Sequence, residues 1–373
     1  MSYIWQNKDW PFFTVDFAQL KDSYEKYIYQ KGRTDQIFNL LSPKSQNEYY
    51  SETVASDVVA SNEIEGVSIS YESVYSSVAK ALNIETDKTG NDRNAEALAN
   101  LALSVRNGIG DIDEEKILSW HKALFQFAPK TSKGLVMGAF RKKAVYVMRF
   151  SGRMEEEVVY EAVPAENVNS EMKRYCEWLR DSKDKYPNVI RSAIASLWFV
   201  SIHPFADGNG RISRLISDAI LSGDSQTKYF SASSEILINK KDYYAGLYDA
   251  QHADTMDCTP FVTWFIELCT EGMEKVESIC RQKIRLSSFM ATLDPLEFNS
   301  REVTMMYKVA SGFFRGKLNA EKWCKMTKCT AATAARDLSH LTEKNILIKL
   351  EDGGRAQSYV LNPEAATKLD QKN

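Results

Sequence analysis

The sequence predicts an all-α fold that carries one β-hairpin and ends in a winged helix-turn-helix. Three observations predict it: helical spacing of apolar residues dominates the chain, strand-like alternation in its middle is confined to residues 143–163, and the order helix, turn, helix, hairpin closes it. The 373 residues exceed the usual length of one domain, and 44% hydrophobic with 26% charged residues is typical of globular proteins. We therefore expect two or three domains with ordinary apolar cores.

The N-terminal part of the chain is predicted to be helical throughout. Its apolar residues recur at helical spacing in four segments, at about 17–30, 46–65, 94–107 and 113–127. Gly66 directly follows the second segment, where a glycine in the left-handed conformation commonly ends a helix. Asp111 or Asp113 is the expected N-cap of the fourth, because a short acidic side chain there accepts hydrogen bonds from the first free amides.

The middle of the chain combines a hairpin with the most apolar helix. Residues 143–150 and 158–163 alternate like strands on either side of a polar tip, so we expect them to pair as a hairpin that Pro164 ends. Residues 190–202 are apolar on nearly all sides, which is typical of a buried central helix. Other helices are predicted at about 168–181, 211–221, 241–252 and 260–285.

The pattern changes near residues 290–300, where Asp294 and Pro295 interrupt the helical periodicity and suggest a linker. Beyond it, two short helices and a hairpin follow in the order of a winged helix, at 320–325, 330–343, 346–350 and 358–361. The expected domains are an N-terminal helical region at 1–110, a central domain at 111–285 and a winged-helix domain at 300–373.

The charge distribution, the N-terminal sequence and the cysteines indicate which classes of protein this chain could belong to. The net charge is -3, but residues 300–373 carry +5 and the rest carry -8, which is a weak indication of nucleic-acid contact. The N-terminus lacks the features of a secretory signal and no apolar run is long enough to span a membrane, so we expect a cytoplasmic protein without membrane contact. Cys324, Cys329 and His340 suggest zinc only weakly, since no second ligand pair has the expected spacing.

The segment 203–214, HPFADGNGRISR, lies between two predicted helices and is rich in groups that bind anions. Gly208 and Gly210 permit backbone angles at which successive amides point inward as an anion nest, and the following helix adds its positive N-terminus. Arg211 and Arg214 are three residues apart and share a helix face, so both can reach the same anion. The segment therefore predicts a phosphate cradle.

Two other side chains of this segment suit a nucleotide reaction. Asp207 supplies the carboxylate oxygen that Mg²⁺ prefers, and His203 has a pKa range suited to accepting a proton from an attacking hydroxyl. Taken singly, each residue has an ordinary explanation, such as a turn or a packed histidine. A dinucleotide-binding loop is a poor alternative, because no strand precedes the glycines and Ser213 replaces the last of them.

Residues 203–214 resemble the Fic signature, HPFx(D/E)GNGRxxR, at every defined position, and residues 50–270 resemble the family more loosely. The resemblance implies a protein adenylyltransferase that moves AMP from ATP to a Ser, Thr or Tyr hydroxyl of another protein. It implies His203 as the base, Phe205 as a core anchor, Asp207 as the Mg²⁺ ligand, and the hairpin as a flap that docks the target. The phosphates would be held by Gly208, Asn209, Gly210, Arg211 and Arg214, and the adenine would lie near Tyr243 or Tyr244.

Ser61, Glu65 and Gly66, at the end of the second predicted helix, resemble the family's inhibitory motif, (S/T)xxxE(G/N). By itself, a glutamate at a helix C-terminus is an ordinary surface residue. The resemblance implies that the helix at about 46–66 is inhibitory and that Glu65 pairs with Arg214, which withholds the arginine from the γ-phosphate. It also leaves open the reverse, AMP-removing reaction by a water that Glu65 positions.

The C-terminal region resembles the winged helix appended to some bacterial Fic proteins, with residues 330–341 as the recognition helix. DNA phosphates would be contacted by Lys325, Lys328, Arg336 and Arg355. Because that helix is rich in alanine, protein docking or homodimer formation fits it as well as DNA binding does. The alternatives to AMP transfer are a DNA-binding regulator whose Fic domain senses a nucleotide, and a Fic enzyme with another donor, such as UTP or a phosphocholine nucleotide.

Overall fold

The computed structural model describes residues 2–86, 90, 92–106, 110–128, 135–150, 156–223, 229–292, 297–310, 318–350 and 357–362. Helices make up 67% of it, and the strands of the described residues form two antiparallel hairpins. The chain divides into two compact units, residues 1–276 and 277–373. The expected helical class with small hairpins is therefore confirmed.

The elements are numbered in chain order. The helices of the first unit up to the hairpin are α1 (Phe17–Asn39), α2 (Pro43–Ile64), α3 (Tyr71–Ala81), α4 (Arg93–Arg106) and α5 (Glu114–Phe125). Strands β1 (Tyr146–Phe150) and β2 (Glu156–Glu161) precede α6 (Val168–Asp181), α7 (Asn188–Ile202), α8 (Asn209–Ser222), α9 (Ala232–Ile238) and α10 (Lys240–Gln251). The chain continues through α11 (Thr259–Thr292), α12 (Ser300–Ala310), α13 (Ala320–Thr327), α14 (Ala331–Glu343), β3 (Leu347–Leu350) and β4 (Ser358–Leu361).

Several element ends differ from the predicted ones. Helices α1 and α11 are longer than expected. Because α11 continues to Thr292, the first residues of the linker expected near 290–300 are helical. Residues 293–296, which include Asp294 and Pro295, lie outside the described residues. Helices α3, α9 and α12 were not predicted; α3 and α9 are short, and a serine caps each, Ser70 and Ser231.

Helix α7 is the centre of the first unit. Every residue from Val189 to Ile202 is buried, which confirms the predicted central helix. Helix α8 packs beside it through two hydroxyl pairs, Ser192 with Ser217 at 2.6 Å and Ser196 with Ser213 at 2.8 Å. These small side chains let the two backbones approach closely while satisfying each other's polar atoms. The loop that joins α7 to α8 is therefore held by two buried helices.

A buried ion cluster ties α2 and α4 to α8. Nη2 of Arg106 lies 3.2 Å from Asp57 of α2 and 3.1 Å from Asp218 of α8. Burial raises the pKa of Asp218 well above its ordinary value. Burial acts on Asp57 too, but Arg106 and several hydrogen bonds outweigh it and lower the pKa of that carboxyl. The two carboxyls are therefore shifted in opposite directions around the one guanidinium that they share.

The second unit places three helices, α12 to α14, ahead of the β3–β4 hairpin, and its last two helices and hairpin match the predicted elements. Trp323 of α13 is fully buried, and its Nε1 donates to Asp337 of α14 at 3.1 Å. Arg301 of α12 donates to the same carboxylate at 3.0 Å. Asp337 thus joins α12, α13 and α14. Across the described part of the chain, no helix is both long and apolar enough to cross a membrane.

Candidate active site

The loop between α7 and α8 has two residues in the left-handed backbone conformation, His203 at φ 54° and Gly208 at φ 87°. His203 is the C-cap of α7, and Gly208 is the N-cap of α8. Helix α8 begins at Asn209, about two residues earlier than predicted. The Asn209 side chain accepts from the amide of Phe205 and donates to its carbonyl, both at 2.9 Å, and so closes the loop.

His203 has the protonation state that a base needs. Its Nδ1 lies 3.2 Å from the carbonyl oxygen of Val200, so Nδ1 carries the proton and donates. Nε2 is then the unprotonated nitrogen. Burial lowers the pKa of His203 to about 4. The imidazole is therefore neutral at pH 7 and has a lone pair to accept a proton.

His121 of α5 supports the loop from the opposite side, and sequence reasoning missed it. Its ring stacks on Phe205 at 3.8 Å, Nε2 donates to the Asp207 carbonyl at 3.1 Å, and Nδ1 accepts from the Gly138 amide at 3.0 Å. Burial lowers the pKa of His121 to about 4, so it stays neutral. In the sequence it is only one histidine within a helical segment, which gives no signal of this role.

Gly208 is required by a close approach to Phe125 as well as by its backbone angle. A Cβ at position 208 would lie 2.7 Å from Cε2 of that ring, closer than carbon atoms pack. The guanidinium of Arg211 lies 4.8 Å from the centre of the same Phe125 ring. The aromatic ring of α5 therefore fixes both the loop and the first arginine.

Arg211 is held between the loop and α2. Nη2 donates to Asp207 at 3.3 Å, and Nη1 donates to Asn62 at 3.4 Å. Its Nε is buried and has no hydrogen-bond partner among the described residues, which leaves a donor for an incoming anion. The Asp207 side chain is 34% exposed, so solvent and ions can reach its carboxylate.

The end of α2 engages the second arginine. Gly66 ends the helix at φ 72°, as predicted, and Glu65 is the C-cap. Nη2 of Arg214 donates to Oε1 of Glu65 at 2.8 Å and to the Ser61 carbonyl at 2.7 Å, while Nε donates to Oγ of Ser61 at 3.0 Å. The expected contact between Glu65 and Arg214 is present, and Arg214 is only 2% exposed.

Glu65 also covers the first turn of α8. A Cβ at position 210 would overlap Oε1 of Glu65 and would lie 3.1 Å from Nη1 of Arg214. The carboxylate therefore rests directly on Gly210, at the positive end of the helix. This is the place where the sequence predicts a phosphate, and a negatively charged side chain occupies it.

Tyr243 and Tyr244 lie on the Glu65 side of this site. Tyr243 is buried, and its pKa is raised by burial against the opposing effect of Arg214. Tyr244 is 42% exposed, and its hydroxyl lies 3.5 Å from the Ile64 carbonyl at the end of α2. The structure brings both rings to the edge of the site, while their contact with adenine stays a prediction.

The hairpin pairs β1 with β2 in antiparallel register and has an irregularity between Val147 and Met148. Exposed apolar side chains on it are Tyr146, Met148 and Val158.

Arg141, just before the hairpin, donates to the His203 carbonyl at 2.7 Å, a contact that the sequence did not predict.

The Fic/DOC family model matches residues 111–221, which include α5, the hairpin and the loop of His203. The chain contains a Fic/DOC domain. A second model, a domain of unknown function (DUF4172), matches residues 3–84 and so covers α1, α2 and α3. Ser61, Glu65 and Gly66 lie within that second match.

Curated relatives of the Fic domain are named protein adenylyltransferases. Protein adenylyltransferase fic-1 of Caenorhabditis elegans is 30% identical over 155 residues, which are 41% of this chain and 26% of the relative. Protein adenylyltransferase Fic of Nematostella vectensis is 34% identical over 113 residues, 28% of this chain and 23% of the relative. The matched region is thus about a quarter of each relative's length.

Solved structures share the fold at lower identity. A Fic family protein from Desulfovibrio desulfuricans G20 is 21% identical, has a TM-score of 0.55, and covers 94% of this chain and 97% of its own. Fic-1 of C. elegans is 21% identical with a TM-score of 0.51, over 70% of this chain and 73% of its own. These likenesses establish the Fic fold.

Proposed function

We propose that this chain is a protein adenylyltransferase that its own Glu65 holds in an inhibited state. The observation that carries the proposal is the carboxylate of Glu65 resting on Gly210 and bonded to Arg214 at 2.8 Å. A negative group at this place indicates an anion-binding cradle, because the N-terminus of α8 and a buried guanidinium favour only negative charge. The names of the curated relatives support AMP transfer as the reaction.

The triphosphate of ATP would bind at the N-terminus of α8. The amides of Gly208, Asn209 and Gly210 lie in the first turn, where helix amides lack intrahelical acceptors. Arg211 and Arg214 would neutralise the outer phosphates. Asp207 would hold Mg²⁺, because its exposed carboxylate stands beside this cradle, and Mg²⁺ when bound adds positive charge at the phosphate oxygens.

His203 would serve as the general base. Its Nε2 takes the proton of the target hydroxyl as that oxygen attacks the α-phosphorus. The bond from the α-phosphorus to the bridging oxygen breaks, AMP stays on the hydroxyl oxygen, and pyrophosphate leaves. Catalysis would come mainly from positioning and charge stabilisation, with the neutral imidazole adding proton transfer.

Glu65 would inhibit the reaction in two ways, by occupying Arg214 and by repelling the γ-phosphate of ATP. Glu65 takes up donors of Arg214 that the γ-phosphate needs, and its carboxylate would repel that phosphate. ATP would then bind in an unproductive position or weakly. Release of Glu65 would restore Arg214 to the nucleotide. AMP removal by a water that Glu65 positions is the alternative use of the same carboxylate.

The position of a labelled phosphate in ATP distinguishes AMP transfer from phosphoryl transfer. The Glu65→Gly protein is incubated with Mg²⁺ and with ATP labelled at either the α- or the γ-phosphate. AMP transfer places only the α-label on protein, whereas phosphoryl transfer places only the γ-label there. Unlabelled UTP and a phosphocholine nucleotide are then added in excess, and strong competition by either would favour that donor over ATP.

The target would dock on the hairpin by strand addition. We propose the domain limits 1–110, 111–285 and 300–373, a cytoplasmic location, and a winged helix in the last domain. The order of helices α13 and α14 before the β3–β4 hairpin supports the winged helix.

A DNA-binding regulator is the second candidate, and a specific observation favours it. The segment 300–373 carries a net charge of +5, and Arg336 of α14 is exposed. Lys325 lies in the last turn of α13 and Lys328 is the C-cap of that helix, while Arg355 lies outside the described residues. Binding of a random DNA duplex at low salt, with affinity that falls steeply as salt rises, would support it. Lack of binding would leave protein docking or a homodimer for this domain.

A further inference from the structure

Arg141 caps the C-terminal end of α7. Its Nε donates to the His203 carbonyl at 2.7 Å, and Nη2 donates to the Ile202 carbonyl at 3.4 Å. These are the last carbonyls of the helix that delivers the proposed base, and they have no partner within the helix. A cation at a helix C-terminus is also favoured by the helix dipole. Arg141 therefore stabilises the left-handed turn at His203.

The same guanidinium holds both ends of the hairpin. Nη1 donates to the Lys143 carbonyl at 2.9 Å, before β1, and Nη2 donates to the Val163 carbonyl, after β2. The Arg141 amide adds a hydrogen bond to the Pro204 carbonyl at 2.9 Å. The Arg141 side chain thus connects the base of the hairpin to Ile202 and His203, and its backbone amide adds Pro204, at the start of the motif loop (residues 203–208).

Only arginine can make this set of contacts. Its planar guanidinium presents five N–H donors in a fixed fork, and here four carbonyls at different directions accept them. Arg141 is 6% exposed, and its hydrogen bonds to the Val163 and Ile202 carbonyls are buried, so losing them would remove the donor from two carbonyls shielded from water. A lysine would keep the charge but would reach only part of the set.

We propose that Arg141 is a positioning residue that holds the hairpin and His203 in register, so that a hydroxyl docked on the hairpin meets the imidazole. The proposal rests on the proposed AMP transfer for its consequence. The coupling of the hairpin to the His203 loop can be measured on its own, without any AMP transfer.

Hydrogen exchange read by mass spectrometry provides that measurement. Arg141→Lys is compared with wild type and with Arg180→Lys, the same change at a side chain that is 60% exposed and pairs with Asp181. We expect faster exchange at 143–148, 157–163 and 202–205 in Arg141→Lys, and wild-type exchange in α8 and in the control. Unchanged exchange at the hairpin, or faster exchange throughout the first unit, would overturn the proposal.

Activity is then measured in the Glu65→Gly background. Arg141→Lys should lower the rate of self-modification by about 10- to 100-fold, as expected for a misplacement on the order of 1 Å. ATP affinity should be unchanged, because the hydrogen bonds described for Arg141 end at the hairpin and at residues 202–204, before Gly208. A localised rise in exchange with an unchanged rate would also overturn the positioning role. If the Glu65→Gly parent transfers no AMP, the proposed function fails, and the exchange data still decide whether Arg141 couples hairpin and loop.

Discussion

At the residue scale, burial and the surrounding charges together set the pKa of His203, and so the pH range in which it could act as a base. Burial is the main cause of its low pKa, and the charged groups that face it are Arg141, Glu65 and Asp207. A base must be neutral to accept a proton, so a lowered pKa extends its working range toward acid. The imidazole is expected to stay competent well below the ordinary histidine pKa of about 6.5.

The resulting prediction concerns the pH profile of AMP transfer. In the Glu65→Gly protein, which lacks a carboxylate that raises this pKa, kcat/KM should hold its value as the pH falls from 8 to about 5, and should fall only at about pH 4 or below. Initial rates across this range, on protein shown to stay folded by circular dichroism, provide the test. A midpoint near 6.5 would mean that burial does not control His203 in the working enzyme.

Gly210 gives a second prediction at this scale. Once Glu65→Gly has removed the carboxylate, a methyl group at position 210 would fill the place of the anion. Gly210→Ala should therefore weaken ATP binding by about tenfold, or about 1.4 kcal/mol. Gly32→Ala is the matched control, because a Cβ there meets no atom within 4 Å. Equal affinities of the two variants for ATP, measured by calorimetry, would argue against a phosphate at this turn.

The sequence predicts site residues well where they are adjacent and poorly where they are distant. Residues 203–214 lie in one loop, so their spacing alone suggests a cradle, and the Ser61 and Glu65 motif adds the contact with Arg214. His121, Asn62 and Arg141 act through backbone or side-chain contacts across 60 or more residues. Nothing in their local pattern marks such contacts, because only the fold creates them.

At the element scale, α5 supports the motif loop through a histidine that must remain neutral. The pKa of His121 is about 4 in the folded protein and about 6.5 in an unfolded chain. Between these values the unfolded chain binds more protons, so the free energy of unfolding falls as the pH drops from about 6.5 to about 4. His203 contributes with the same sign.

Thermal unfolding of His121→Gln tests this dependence. Glutamine can donate to the Asp207 carbonyl and accept from Gly138 without titrating. The variant should be less stable than wild type at pH 7.5, since the stacked ring on Phe205 is lost. It should lose less Tm than wild type between pH 7.5 and 5. Parallel loss in both proteins would mean that His121 contributes nothing to the acid sensitivity.

Element prediction succeeded where one physical signal was strong. Residues 190–202 are apolar on all sides, and they form the buried helix α7. Helix α9 has only seven residues, too few for a periodic pattern, and α3 has eleven. The end of α11 was misjudged because its C-terminal turns lack any helix breaker before Asp294 and Pro295, so periodicity fades without a stop signal.

At the scale of the whole molecule, residues 3–84 match a domain of unknown function, yet they contribute directly to the site around the α7–α8 loop. Asn62 contacts Arg211, and Ser61 and Glu65 contact Arg214. The buried cluster of Arg106 with Asp57 and Asp218 ties the same helix to α8. This segment therefore forms part of the candidate site, although it lies outside the Fic/DOC match at residues 111–221.

The most direct test of inhibited AMP transfer is the intact mass of four proteins after incubation with ATP and Mg²⁺: wild type, Glu65→Gly, Glu63→Gly, and Glu65→Gly combined with His203→Ala. Glu63 is the matched control, because it is exposed in the same last turn of α2. The account predicts a gain of one AMP in Glu65→Gly, little in wild type and Glu63→Gly, and none in the double variant. Equal gain in wild type and Glu65→Gly would contradict the inhibition, and no gain in any protein would contradict the transfer.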